Sequence, residues 1–260
     1  LITIVDQLLA DAPAVLKIAT QVNTYQDLVT LSELHKVLPV EQDRTILGMG
    51  PRAHTNRLLS PLHNALTYTY LDEGEQAAAG QIPLDLYKKV TDRDEPKLFG
   101  ILGGLDVKSL SPTIHNSLFQ QHNVDALYGE CLTDDLNESW QILTKLGFTG
   151  FSVTSPWKKD IIPFIDVLEP HAKHLQSVNT AVLQGEQWHG YSTDAIGLMN
   201  GYDFWSEATN VAIIGSGGVV PTVIDACTSS GVENTTLFAR NESNRVELAE
   251  QFGIQEQPLK

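Results

Sequence analysis

Apolar positions along this chain follow two alternating rhythms. Leu28, Leu31, Leu34 and Val37 recur at helical spacing, and Leu1, Ile2, Val5, Leu8 and Leu9 open the chain in a similar pattern. Between and after these helices lie short β-branched runs at residues 14–20, 45–49 and 65–71, with a further helix at 83–90. The pattern resumes with strands at 97–102, 124–132, 150–153, 210–214 and 235–239, and helices at 136–146 and 219–230. Strand and helix in turn predict an α/β fold with parallel sheets. The first stretch holds about three βα units, too few to close an eight-stranded barrel of ~250 residues. It therefore reads as an open sheet or as part of a barrel entered mid-fold. A charged, proline-ended run at 91–96 marks a linker.

Several strands end in polar turns, and in a parallel sheet such ends converge on one crevice. Ser109 and Ser111 stand before a proline and a helix, where hydroxyls can cap the helix or hold a carboxylate. A strand at 150–153 runs into Thr154, Ser155 and Pro156, after which a helix is expected with Lys158 in its first turn. A cation there opposes the helix dipole, which hints at function over stability, although a solvated surface lysine explains it equally well. Asn179-Thr180 and Thr193-Asp194 form two more such turns, and Asp194 opens a helix where a carboxylate is welcome. Gly215-Ser216-Gly217-Gly218 joins a strand to a helix, a turn whose amides can cradle pyrophosphate. Arg240 ends the next strand, with Arg245 nearby and no acid before Glu242. An arginine there suits the 2′-phosphate of NADP, whereas NAD sites place an acid.

Charge and composition narrow the classes. Net charge is -15, from 17 Lys+Arg against 32 Asp+Glu, which argues against nucleic acid or an anionic membrane as main partner. No apolar run approaches the ~20 residues of a membrane span. Cys131 and Cys227 are far apart and in no metal spacing, so they read as buried thiols of a reducing compartment, with no metal expected.

Residues 17–20 (KIAT) and three later stretches carry one resemblance. Lys17 in a strand, Met49-Gly50 followed by Arg57, and Gly80-Gln81-Ile82 resemble the C-terminal part of type I 3-dehydroquinate dehydratase. The resemblance implies Lys17 as a Schiff-base lysine toward 3-dehydroquinate, Arg57 as carboxylate clamp and Gln81 as a substrate contact. A desolvated amine and a forked guanidinium suit those roles. Ala53, Asn56, Ala77 and Ala79 depart from the family pattern, and its catalytic His and Glu would precede Leu1.

Residues 97–260 resemble shikimate dehydrogenase through SLSPTIHN, SVTSPWK, SVNT, GYSTD, GSGG and ARN in the family's order. Ser152 and Ser192 replace two of its asparagines. The resemblance implies NADP-dependent reduction of 3-dehydroshikimate to shikimate, with Lys158 as general acid paired to Asp194. Ser109 and Ser111 would hold the substrate carboxylate, and Asn179 and Thr154 the ring hydroxyls. The expected layout is a partial dehydratase-type (β/α) barrel segment at 1–92, a shikimate-binding α/β domain at 97–200, and the start of a Rossmann-like NADP-binding domain at 201–260. Plant enzymes fuse the two activities in this order, so the expected location is cytoplasm, or plastid for a plant-like source. A non-catalytic metabolite-binding regulator, similar to fungal quinate repressors, is the competing reading, and quinate or NAD specificity is a third.

Overall fold

A computed structural model describes residues 2–60, 63–71, 77–78, 80–90, 96–201 and 207–259. The chain divides into two compact units, Leu1–Pro163 with Ala181–Glu186, and Phe164–Thr180 with Gln187–Lys260.

In the first unit, α1 (Ile2–Ala10) leads to β1 (Val15–Gln21), α2 (Tyr25–Val37) and β2 (Asp43–Met49). Strands β1 and β2 pair in parallel. Thr24 caps α2 by accepting from the Asp27 amide, while Asp27 answers with the Thr24 amide, a reciprocal box that fixes the helix start. At the other end of α2 the Arg44 guanidinium covers the carbonyls of His35, Leu38, Pro39 and Val40. Helices α3 (His54–Leu59) and α4 (Leu84–Val90) follow.

The strand expected at 65–71 is absent apart from one bridge, Tyr70 to Pro83. Its start runs beside β2, but the Thr45 hydroxyl takes the place of ladder groups, accepting from Leu66 N and donating to Leu66 O. A side chain in the ladder competes with regular pairing. Most of the expected linker at 91–96 lies outside the described residues. Residues on both sides of it pack into the same unit.

Next come β3 (Lys97–Gly103), α5 (Ser111–Gln121), β4 (Ala126–Leu132), α6 (Leu136–Lys145) and β5 (Phe148–Val153). β3 lies between β4 and β5, parallel to both. Such a strand is covered on both faces and reads as a continuous apolar run. Gly129 leaves room for α3 on β4, since a Cβ there would meet Leu58 Cδ2 at 2.9 Å. Leu58, Ile82, Leu86 and Leu127 form one core across the early segment and β4. The fully buried Tyr25 donates from its hydroxyl to Leu132 O at 3.0 Å, tying α2 to the end of β4.

The helix expected after Pro156 does not form. Residues 155–161 are turns leading to a 3-10 turn at Ile162–Phe164. Only six residues separate Pro156 from Pro163, and two lysines face the positive end of any helix dipole there, so nucleation is not repaid. The helix face expected to continue through Ile165 and Leu168 is replaced by β6 (Val167–Leu168).

The second unit continues with α7 (Pro170–Leu175). β7 (Thr180–Gln184) neighbours β5 in the first unit's sheet. β8 (Gln187–Tyr191) pairs in parallel with β6, and α8 (Asp194–Gly201) follows. The last part is β9 (Asn210–Ile214), α9 (Val220–Ser229), β10 (Asn234–Ala239), α10 (Glu242–Phe252) and β11 (Gln255–Pro258). Its strands run parallel in the order β11-β10-β9, so successive strands of the unit lie side by side. Ile213, Val220, Ile224, Cys227 and Leu237 make its core. Among the described residues no helix is long and apolar enough to cross a membrane.

Candidate active site

Strands β3, β4 and β5 deliver a cluster of hydroxyls in the first unit. Ser109 Oγ accepts from the Ser111 amide at 3.1 Å and donates to Ser111 Oγ at 3.0 Å. The N-cap residue of α5 is Leu110, so Ser109 serves the first amide of the helix from outside the cap position. Tyr128, on β4, brings its phenol to the hydroxyls of Ser111 and Ser152. That phenol oxygen is buried and makes no hydrogen bond of ordinary geometry, and burial pushes its pKa up to about 12. It therefore stays a neutral donor at physiological pH. Tyr128 stacks on His115, ring centroids 4.3 Å apart, and burial pushes the His115 pKa down. Asn116 binds Tyr128 through its backbone, accepting from Tyr128 N and donating to Tyr128 O, so the His-Asn pair of the motif positions β4. The hydroxyl-lined end thus has one feature the sequence reading missed. The available signal was a tyrosine in a strand buried on both faces, where a phenol needs a partner.

Thr154 follows β5, its amide bonded to Leu102 O at 2.9 Å. A Cβ at Gly103 would lie 2.8 Å from Thr154 Cγ2, so glycine there lets the two strand ends close up. Lys158 sits half-buried in the turns beyond.

In the second unit Asn179 organises the other polar turn. Its Nδ2 donates to Asp194 Oδ1 at 2.6 Å and Thr193 Oγ1 at 3.1 Å. Its Oδ1 accepts from Thr193 N at 3.0 Å and from Thr180 Oγ1 at 3.0 Å. Asp194 is thereby fixed in the first turn of α8. Both Nδ2 hydrogens expected to meet ring hydroxyls are engaged within the protein.

The dinucleotide-type turn is open. Gly215 adopts φ +118, which favours glycine, and a Cβ at Gly217 or Gly218 would meet nothing within 4 Å. Gly215 and Ser216 share a hollow of about 630 Å³ with Ala239, Arg240 and Asn241. Arg240 is exposed on its rim, whereas Arg245 is buried, pairing with Glu256 and donating to Ala239 O at 3.0 Å. Arg245 is thus a staple of the fold, and Arg240 alone of the two is placed to meet a phosphate.

The dehydratase-like residues are more scattered. Lys17 is exposed, in contrast to the buried strand lysine expected. The described part of this sheet is only β1 and β2, and the face bearing Lys17 and Ala19 has no covering layer there. Lys17 Nζ donates to Tyr68 OH at 3.1 Å and lies 4.5 Å from that ring's centroid. Arg57 is buried, its Nε donating to Gly48 O at 2.8 Å and its Nη1 without a partner. Gln81 is buried too, but its Oε1 accepts from Ala77 N and Ala78 N, closing its own loop. No group of His, Cys, Asp or Glu suited to a metal ion occurs among the described residues.

Comparison with known proteins agrees with the later motifs. Residues 103–181 match the family described as Shikimate dehydrogenase substrate binding domain. The Shikimate biosynthesis protein AroDE of Chlamydia muridarum is 30% identical over 267 residues, covering 97% of this chain and 55% of its own. The Shikimate dehydrogenase (NADP(+)) of Pyrococcus abyssi is 32% identical over 160 residues, covering 61% of this chain and 60% of its own. A shikimate dehydrogenase structure from Aquifex aeolicus superposes with TM-score 0.58 at 28% identity, covering 62% of each chain. The chain therefore spans little more than half the length of the curated relatives it matches.

Proposed function

We propose that this chain carries the substrate-binding and first cofactor-binding parts of an NADP-dependent shikimate dehydrogenase, preceded by the end of a 3-dehydroquinate dehydratase-type barrel. The observation that carries the reading is the hydroxyl cluster of Ser109, Ser111, Tyr128 and Ser152, drawn from β4, β5 and the segment after β3 in one parallel sheet. Such a cluster suits a small polyhydroxylated carboxylate, since hydroxyls bind a carboxylate without carrying charge of their own.

The residues present also fit the nucleotide. The Gly215–Gly218 turn leaves space for pyrophosphate beside the start of α9, and Arg240 offers a guanidinium to a 2′-phosphate with no acid before Glu242. Bound NADPH would supply the hydride to the ketone carbon of 3-dehydroshikimate. Lys158 would then give its ammonium proton to the resulting alkoxide. Asp194, held by Asn179, would orient that ammonium. Asn179 in this reading positions Asp194, while Thr154 contacts a ring hydroxyl.

The finer claim of a fused dehydratase rests on Lys17 and Arg57. Arg57 Nη1 is a buried cation donor without a partner, which suits an anionic ligand. The Lys17 amine would add to the ketone of 3-dehydroquinate and lose water, giving an imine. Borohydride with 3-dehydroquinate should then add the reduced ligand mass to Lys17, and an unlabelled Lys17 removes this half of the proposal.

The test of the dehydrogenase is absorbance at the nicotinamide band on mixing protein with shikimate and NADP, then with quinate and NAD. Turnover with the first pair, abolished in Lys158→Ala with the fold intact, is expected. No change with any pair favours the metabolite-binding regulator, and full activity in Lys158→Ala removes the assigned acid.

A further inference from the structure

The phenol of Tyr128 lies buried in the hydroxyl cluster without a hydrogen bond of ordinary geometry. A buried donor left unpaired is costly, so its presence there calls for a reason. We propose that Tyr128, held by His115, is a positioning residue: it turns the hydroxyls of Ser111 and Ser152 outward as donors, and so selects a carboxylate over the uncharged ester. The inference rests on the reading of this cluster as the carboxylate site.

Sheet register brings the groups together. Tyr128 on β4 pairs with Phe99 of β3, and Ser152 on β5 pairs with Ile101, two residues further along β3. Side chains two apart on a strand share a face, so both project from the same side of the sheet. Helix α5 packs on that side, with the Phe119 ring 5.8 Å from that of Phe99. The helix begins at Ser111 and grips Tyr128 in two ways. Asn116 bonds both backbone groups of Tyr128, at 2.8 and 3.0 Å, and donates to Pro112 O at 2.7 Å. His115 lays its ring on the phenol ring, with centroids 4.3 Å apart and planes 10° from parallel. Ser111 and His115 are four residues apart, so one face of α5 carries both a cluster hydroxyl and the ring that holds the phenol.

The donor direction follows from the hydrogens available. The phenol keeps its proton, since burial pushes its pKa up to about 12. Each serine hydroxyl has one hydrogen and two lone pairs. Ser111 Oγ already accepts from Ser109 Oγ at 3.0 Å. A serine oxygen that also accepts from the phenol has its single hydrogen left for a ligand, and a carboxylate is an acceptor only. The phenol oxygen is closed off from solvent, so it does not touch the ligand and acts through the two serines. A bound carboxylate aligns the serines, and the phenol then gains its bond. An ester accepts more weakly and draws less from the same arrangement.

The test titrates the whole chain with shikimate and with its methyl ester by calorimetry, alongside urea unfolding. Tyr128→Phe should weaken shikimate about five- to tenfold, the loss of one hydrogen bond, and leave the ester nearly unchanged. Its unfolding midpoint should stay level or rise, because no bond of the free protein is lost. A phenol with a merely structural role would show the reverse, a lower midpoint with both affinities intact, and that result overturns the proposal. His115→Ala should weaken shikimate to a similar extent, and His115→Phe should restore it by keeping a flat ring. Tyr128→Phe combined with His115→Ala should bind no worse than either alone, since both act through one phenol. Additive losses, or an equal loss for the ester, overturn the proposal. Shikimate binding that is indifferent to Tyr128→Phe overturns this inference alone, whereas no binding to the unaltered protein overturns the proposed carboxylate site and this inference with it. Tyr128→Phe decides by itself if His115→Ala fails to fold.

Discussion

Replacing Asn179 by alanine isolates the device that holds Asp194. The substitution removes the 2.6 Å bond from Nδ2 to Asp194 Oδ1, the 3.1 Å bond to Thr193 Oγ1, and the two bonds accepted by Oδ1 from Thr193 N and Thr180 Oγ1. The bond to the carboxylate is charge-assisted and worth about 1.5–3 kcal/mol, while the neutral ones contribute about 1 kcal/mol each. Thr193 is exposed and regains water, so part of the loss is recovered. The net expectation is about 3 kcal/mol of destabilisation. With an m-value of about 2 kcal/mol/M in urea, the unfolding midpoint of the second unit should fall by about 1.5 M. The assay is urea unfolding followed by circular dichroism, with hydrogen exchange at the Thr193 amide as the local readout. Asn179→Asp is the sharper arm. It sets a second carboxylate where the amide met Asp194, which raises the folded pKa of one of the two. A carboxyl with a raised folded pKa costs stability above that pKa, and the cost fades as pH falls through it. Asn179→Asp should therefore be worse than Asn179→Ala at pH 7 and approach it near pH 4. A midpoint shift below about 0.3 M for Asn179→Ala, or a deficit of Asn179→Asp that does not shrink with acid, would refute the reasoning.

Tyr25→Phe strands the buried carbonyl of Leu132 and should cost about 1–3 kcal/mol in urea unfolding, with m unchanged. Gly100→Ala would bring a Cβ within 2.6 Å of Cys131 Sγ and 3.1 Å of Gly129 O in the centre of the sheet, and should cost about 2 kcal/mol or more by the same measurement. Gly217→Ala meets nothing within 4 Å and should shift stability by less than about 0.5 kcal/mol. His35 has a folded pKa of about 4 against an ordinary 6.5, so the unfolded chain binds the extra proton between those values. Stability should then fall as pH drops from 6.5 to 4, and the slope of urea midpoint against pH over that window should flatten in His35→Phe.

Regular elements were readable where periodicity and local chemistry agree. The helix α2 lies where Leu28, Leu31, Leu34 and Val37 recur at helical spacing. The β9-α9-β10 unit was likewise legible from a β-branched run, a glycine turn and a helix. The reading failed where a side chain or a proline competes with the backbone. Thr45 replaces ladder groups beside residues 65–71, and the Pro156 and Pro163 pair leaves too little chain for the helix expected around Lys158. Site chemistry was partly legible. The serine pair and the Asn179, Thr193 and Asp194 turn announced themselves as strand-end hydroxyls and amides. That Asn179 clamps Asp194, that Tyr128 joins the serines, and that Lys17 lies open depend on which face of a strand is covered, and spacing does not fix that.

The Tyr25 hydroxyl on Leu132 and the shared packing of Leu58, Ile82, Leu86 and Leu127 join residues on either side of position 91. A single cut between Val90 and Pro96 would therefore yield two peptides that co-elute on gel filtration and part only in denaturant. Expressed alone, the piece beginning at Pro96 would uncover Leu127 and lose the phenol that serves Leu132, and it would be collected from inclusion bodies far more readily than from the supernatant.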